Sequence, residues 1–485
     1  MHSYASVDDC PTEPKHYTVA VHQTEDQNMS FRRLYIGVTT RRLSIQCFIA
    51  SVFGSLIVLF LFNELSSDKL HHLQLRAWNF ARNRLNVQDR GIKANMGPDE
   101  NKAWNSRPQA APSKHFAILA EMDVISKWSE LEEMYRCFLD PSDNSTRPCN
   151  VFCPEHSTTI ELIITKNVKD FSGTDAAIFG LSPFTLLKSV TKLMKYSIQI
   201  PPTQTAVLYS MESPLRVHKW IHRVGDLKYH VDLTYLPSAD ISVPYAYYQP
   251  GSFENTFERK ANYAEGKTGL IAWMGSNCAK EVFWPRMEFI EELGRHLPLD
   301  TYGKCGKLTC LPRLSTKCVN LIGTYKFYLA LENSECRDYI TEKFWVSCLL
   351  NGVVPVVYGA PKEDFERLAP PNSYIHVSDF KSVEELATYI LKVDQSDELY
   401  NKFFEWRNHG SVLVKYPKMQ PSYFCRILPF LQGSRGMSGA KQIRNSKWFN
   451  SCRGNITRRF NISQVPTLKD WKPWKLGVND YKDGF

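Results

Sequence analysis

Residues 325–359 read YKFYLALENSECRDYITEKFWVSCLLNGVVPVVYG. The first seven, YKFYLAL, form an apolar, aromatic run of strand length. ENSE (332–335) follows as a polar loop at the strand's C-terminal end. Asp338 is a good N-cap, and Ile340, Phe344 and Cys348 keep helical spacing until Gly352 ends the helix. VVPVV then re-enters a sheet, with Pro355 implying an irregular or edge position. In such a strand–helix–strand unit, ligands sit beyond the C-terminal ends of strands, where a helix N-terminus offers free N–H groups. Glu332, Asn333, Ser334, Tyr339, Glu342 and Lys343 all fall near that point. Glu342 and Lys343 lie partly off the apolar face, where a carboxylate could grip paired ribose hydroxyls and an ammonium could neutralise a diphosphate. From spacing alone, a solvated surface pair is an equal reading of these two, and turn chemistry accounts equally well for Asn333 and Ser334.

Outward from this stretch the alternation continues. GLIAWMGSN (269–277) is a strand and loop, WPRMEFIEELGRHL (284–297) a helix, LDTYG (299–303) a strand, and SYIHV and VEELATYILKV follow at 373–377 and 383–393. This is the pattern of a parallel, doubly wound sheet, assigned to residues 266–432. Residues 114–255 carry a second set of short apolar runs, FAILAEMDVI, IELIIT, AAIF and AVLYS, and read as another α/β domain. The polar stretch 251–269 looks like the linker between them. The expected architecture is therefore α/β, with two Rossmann-like domains facing a cleft. Residues 433–485 form a basic C-terminal extension expected to fold back on the first domain, with Cys425 and Cys452 a candidate pair.

The N-terminal part differs in kind. Residues 44–62, SIQCFIASVFGSLIVLFLF, carry no charge and are long enough to span a bilayer as a helix. Arg32, Arg33, Arg41 and Arg42 precede them. The excess of positive charge predicts a cytoplasmic tail (1–43), a signal-anchor (44–62) and everything beyond in a lumen. Residues 63–113 are polar, close on RPQAAPS and read as a stem. Of thirteen cysteines, eleven follow the anchor, which favours disulfides in an oxidising compartment and leaves at least one thiol free or buried. Luminal sequons stand at Asn144, Asn455 and Asn461.

Composition narrows the classes further. A hydrophobic fraction of 43% and a charged fraction of 22% are those of a globular chain. The net charge of +9 suits solubility or attraction for a polyanionic ligand. No basic stripe interleaved with aromatics is present, so a nucleic-acid partner is not expected. Paired C-x-x-C spacings for zinc are missing, as are the G-x-S-x-G and H-E-x-x-H motifs of common hydrolases.

Residues 325–380 resemble the signature region of the α1,3-fucosyltransferases, glycosyltransferase family 10. The likeness rests on KFYL at 326–329, ENS at 332–334, DYITEK at 338–343, Gly352, VPVV at 354–357 and APPNSYIHVSDF at 369–380. The anchor and stem match the family's layout. The resemblance implies a GT-B architecture with the donor, GDP-fucose, held mainly by the second domain. It places Lys326, Glu332, Asn333, Ser334, Tyr339, Glu342 and Lys343 on the donor motif. Ser276 and Asn277 in WMGSN, and Arg286 on the following helix, would lie near the diphosphate or fucose. Glu212 in YSMESP aligns with the general base. An inverting transfer needs such a carboxylate to take the proton of the acceptor hydroxyl. The implied acceptor is a GlcNAc hydroxyl, O3 by analogy, in protein glycosylation on Golgi membranes. No D-x-D triplet occurs, so no metal site and no required cofactor are expected, Mn²⁺ being at most a stimulator. The histidine-rich element that follows the A-D-A-x-x-F strand in vertebrate relatives is replaced by GLSP at 180–183, which leaves the acceptor class open. The alternative is a catalytically silent, glycan-binding membrane relative.

Overall fold

The computed structural model describes residues 114–474, apart from 127–130, 141, 144, 252–259, 279–281, 312–315, 417–418, 432–438 and 454–464. The anchor, the stem and the sequons at Asn144, Asn455 and Asn461 lie outside the described residues. Among the described residues no helix is long and apolar enough to cross a membrane.

The strands among the described residues are, in chain order, β1 (Lys114–Leu119), β2 (Cys149–Cys153), β3 (Thr158–Thr165), β4 (Ala176–Phe179), β5 (Thr205–Ser210), β6 (Lys228–Tyr229), β7 (Val231–Thr234), β8 (Ile241–Ser242), β9 (Ala246–Pro250), β10 (Gly269–Met274), β11 (Leu299–Tyr302), β12 (Tyr325–Leu331), β13 (Val354–Tyr358), β14 (Ile375–His376), β15 (Gly410–Val414) and β16 (Lys441–Gln442). They build two main sheets. The first has the order β2-β3-β1-β4-β5-β7-β8. It is parallel except for β2, which runs antiparallel to β3. β4 and β5 are buried on both faces, as their unbroken apolar runs require. The second sheet, β11-β10-β12-β13-β14, is wholly parallel. Both are α/β halves, as the alternation predicts.

In the second sheet the order reverses between β10 and β12, so the loops leaving those strands diverge to opposite sides and open a crevice. Ser276 and Asn277 follow β10, and Glu332 to Ser334 follow β12. The topology thus brings two sequence-predicted loops together. Gly359, just after β13, lies against Glu332 and Ser334 of the loop after β12. Its φ of +140° and its closeness to Glu332, whose Cβ would lie 2.5 Å from an added Cβ, exclude a side chain there.

Two expectations are corrected. The helix does not start after Asp338. That residue sits at φ +59°, held by an ion pair to Arg367 and by its own N–H bonded to Asp364 Oδ2 at 2.7 Å. Helical backbone begins at Glu342, after Thr341, and passes into a π-turn over Trp345–Leu349. Pro355 lies in an interior strand, but β14 pairs only with Val356 and Val357, so the proline falls where that side has no partner strand. The chain also returns from the second half to the first. β15 turns back to pair antiparallel with β9, and the helix Pro421–Phe430 docks on the first half, where Phe424 meets Tyr209.

Among the described residues five disulfides lock this arrangement: Cys137–Cys149, Cys153–Cys425, Cys278–Cys305, Cys310–Cys318 and Cys336–Cys452. Cys425 and Cys452 therefore each bond elsewhere, not to one another. Among the described residues Cys348 is the free thiol, and it is buried. The C-terminal extension reaches both halves. β16 pairs with β6 of the first, and Trp471 stacks on Trp284 of the second at 5.3 Å.

Candidate active site

Glu212 lies two residues beyond β5, at the C-terminal edge of the first sheet. Ser210 Oγ donates to its carbonyl at 2.9 Å, and Trp448 Nε1 donates to the same oxygen at 2.9 Å. The carboxylate receives the Tyr339 hydroxyl at 3.0 Å and faces Arg216 at 3.6 Å. Its side chain is 28% exposed, so a substrate can reach it. Gly180, Leu181 and Pro183, at the end of β4, line a small depression beside it.

Tyr339 comes from the other half. Its ring packs 5.1 Å from Tyr235 and 6.4 Å from Tyr245, both of the first half. Burial, reinforced by the Glu212, Glu332 and Glu342 carboxylates, pushes its hydroxyl well above the usual phenol range. It therefore stays protonated and donates. A second bridge lies alongside: Ser213 and Ser334 share a hydrogen bond at 2.8 Å. The two halves thus meet where the sequence-predicted base and the sequence-predicted donor loop lie.

Behind this contact is a buried charge cluster. Glu332 is 2% exposed and accepts from Thr341 N–H at 2.9 Å, Thr341 Oγ1 at 2.7 Å and Lys343 Nζ at 2.9 Å. Burial raises the Glu332 carboxyl, and Lys343 opposes the rise. Lys343 also donates to Glu342 at 3.3 Å. Burial alone would lower its ammonium, but Glu332 and Glu342 outweigh that and hold it above its ordinary value. The lysine is charged at neutral pH and 27% exposed, the right state for an anion at the crevice.

Asn333 and Ser334 are tied by a hydrogen bond from Ser334 Oγ at 2.7 Å, and Asn333 O accepts Phe283 N–H at 2.9 Å. Ser276 is exposed and Asn277 half-buried. Arg286, at the first position of the helix Arg286–His296, is only 4% exposed. It donates to Asn277 O at 2.6 Å and Leu331 O at 3.2 Å, staples the loops after β10 and β12 together, and stands beneath the crevice. Burial lowers it to about 10, which leaves it cationic at neutral pH.

Lys326 is not brought to the site. It is the second residue of β12 while Glu332 directly follows the strand, and a rise of roughly 3.3 Å per residue sets them about 20 Å apart. Lys326 instead pairs with Asp394 at 2.8 Å and lies over Tyr400. Sequence reasoning missed Arg216, Thr341 and Trp448. Arg216, four residues after Glu212, carried the one readable signal. Among the described residues no group of three or more His, Cys, Asp or Glu side chains is arranged to hold a metal ion.

Known proteins resemble part of this chain in sequence. The model of the glycosyltransferase family 10 (fucosyltransferase) C-terminal region matches residues 264–446. Glycoprotein 3-α-L-fucosyltransferase A of Drosophila melanogaster is 35% identical over 274 residues, 56% of this chain and 50% of that protein. The chain thus spans about half the length of that relative. α-(1,3)-Fucosyltransferase 7 of Bos taurus is 35% identical over 252 residues, 51% of this chain and 67% of that protein. Among solved structures, an α1,3-fucosyltransferase superposes with a TM-score of 0.40 at 16% identity, covering 66% of this chain and 86% of the other. The chain belongs to glycosyltransferase family 10, the fucosyltransferases.

Proposed function

We propose that the chain transfers L-fucose from GDP-fucose to a GlcNAc hydroxyl, O3 by analogy with its relatives, with inversion at the anomeric carbon. One observation carries the reading. A solvent-accessible carboxylate, Glu212, is hydrogen-bonded through Tyr339 to the loop that holds the buried Glu332–Lys343 pair. A base and a cationic crevice side by side are what a displacement at a sugar phosphate needs. Glu212 takes the proton from the acceptor hydroxyl as its oxygen attacks the anomeric carbon. The bond to the GDP oxygen breaks on the opposite face. Negative charge then grows on the diphosphate, where Lys343, with Arg286 as a fixed charge beneath, stabilises it. Glu342 is assigned to the ribose hydroxyls, and Ser276 and Asn277 to the donor's phosphate end. These cationic side chains make a required metal or cofactor unnecessary. The two parallel-sheet halves fit the expected GT-B arrangement.

The disulfides among residues 137–452 fit an oxidising lumen. With the apolar segment 44–62 they support a type II Golgi membrane protein whose catalytic part is luminal. The test is transfer of labelled fucose by the full chain, solubilised from a secretory host. The acceptor panel comprises LacNAc, LacdiNAc and paucimannose N-glycans, with EDTA or Mn²⁺ added. Transfer to one class, unaffected by EDTA, is the expected result. Folded protein that neither transfers fucose nor binds GDP-fucose would point to a silent relative instead.

A further inference from the structure

Residues 441–453, the larger part of them past the family-matched stretch that ends at 446, run across the seam on which the proposed chemistry depends. They are fastened to the first half through β16 and β6 and through Trp448, whose indole N–H donates to the Glu212 carbonyl. Trp448 is 2% exposed, so its indole is held fast by packing where it donates. Four residues later the same segment is fastened to the donor half. Cys452 is bonded to Cys336, two residues beyond Ser334. Arg337 N–H donates to Ser451 O at 2.7 Å, and Arg453 N–H to Glu335 O at 2.7 Å. The Glu335 carboxylate is 7% exposed and accepts from the Arg453 guanidinium at 2.9 Å, from Trp471 Nε1 at 3.2 Å and from the Tyr358 hydroxyl. The span from Trp448 to Arg453 therefore links the backbone of the base directly to the backbone of the donor loop.

We infer that this segment is part of the catalytic machinery as a strap: Trp448 and the Cys336–Cys452 bond are positioning groups that set Glu212 against the donor loop. The inference rests on Glu212 being the base. The physical reason is leverage. Glu212 sits at a strand end in a polar turn, and Tyr339, its partner across the seam, belongs to a loop with a left-handed residue at Asp338. Without the strap, the base and the donor loop are joined near Glu212 by two hydroxyl contacts, Tyr339 to Glu212 and Ser213 to Ser334, and by the packing of the Tyr339 ring on Tyr235 and Tyr245. A displacement of about 1 Å between reacting groups can cost about 100-fold in rate.

The test is a double-mutant cycle on the full chain, reading kcat, KM for GDP-fucose and thermal unfolding. Trp448→Phe keeps an aromatic ring and removes the N–H. The expected result is a fall in kcat of about 10- to 100-fold with KM for GDP-fucose unchanged. In a Glu212→Gln background the same substitution is expected to cause no further loss, because the group it positions is already inactive. Equal proportional losses in both backgrounds, or no loss in the parent, would overturn the strap while leaving the base assignment intact. Should Glu212→Gln itself turn over normally, the base assignment fails, and the inference with it. If Trp448→Phe does not fold, the double variant Cys336→Ser/Cys452→Ser carries the same cycle with the same two outcomes.

Discussion

At the scale of single residues, the site depends on which charges are buried together. Glu332 has one cationic partner within hydrogen-bond reach, Lys343, and water is excluded from the carboxylate. Removing one partner of such a pair typically costs about 3–5 kcal/mol. Lys343→Met is therefore expected to destabilise the fold by about 3 kcal/mol and to weaken GDP-fucose binding, read by urea unfolding and calorimetry. Adding Glu332→Gln should restore much of the stability but not the binding, because the crevice still lacks its ammonium. Stability that stayed low in the double variant would mean the pair is not what matters. Glu332, Tyr339, Glu342 and Lys343 were legible because a loop and the helix after it are close in both sequence and space. Lys326 was misplaced because an extended strand carries its two ends apart. Arg216, four residues after Glu212, was within reach of a local reading, whereas Trp448 was illegible because it is far away in sequence. They reach Glu212 only through the winding of Pro214–Trp220 and the return of the C-terminal segment.

At the scale of elements, the strand–loop–helix unit was readable in type and not in detail. Apolar runs announced β10, β12 and β13, and the switch point follows from their order. The helix start was misread by about one turn. Asp338 has the composition of a cap, but its side chain is drawn into the Arg337–Asp364–Arg367 network. That network makes the left-handed turn presenting Tyr339, a conformation non-glycine residues adopt at a cost of about 1–3 kcal/mol. Gly359 makes the complementary point. An alanine there would need both a positive φ and space already filled by Glu332. Gly359→Ala is expected to cost at least about 2 kcal/mol, from strain and overpacking together, and to lower donor affinity. Gly173→Ala is the control: its φ is +80° and nothing lies within 4 Å of the added Cβ, so only backbone strain of about 1 kcal/mol is expected. Equal thermal shifts for the two would contradict the crowding account.

At the scale of the whole molecule, the two halves are joined by returning chain. β15 crosses to β9, Cys425 reaches Cys153, and residues 441–453 span the seam. The return of the C-terminal extension to the first half was expected, but its partners, the β15 crossing and the cysteine pairing were not legible, because pairing between segments far apart in sequence leaves no local pattern; an odd cysteine number showed only that a thiol must remain. Where β16 docks, Lys441 pairs with Asp240 at 2.9 Å, stands 3.7 Å from Asp232 and lies over the Tyr229 ring. Burial and the neighbouring Asp240 push Asp232 up to about 7 in the fold, against a usual value near 3.9. A raised acid favours the fold most when protonated, so its contribution is full below about pH 4 and is lost as pH rises toward 7. Asp232→Asn should therefore be more stable than the parent at pH 8, with the difference shrinking toward pH 4; a difference independent of pH would contradict this. The central claim is that a base from one half acts on a donor held by the other. Steady-state fucose transfer by Glu212→Gln, with GDP-fucose affinity measured on the same sample, tests it most directly. The account predicts turnover lower by about two to four orders of magnitude with donor affinity retained. Near-normal turnover would contradict it.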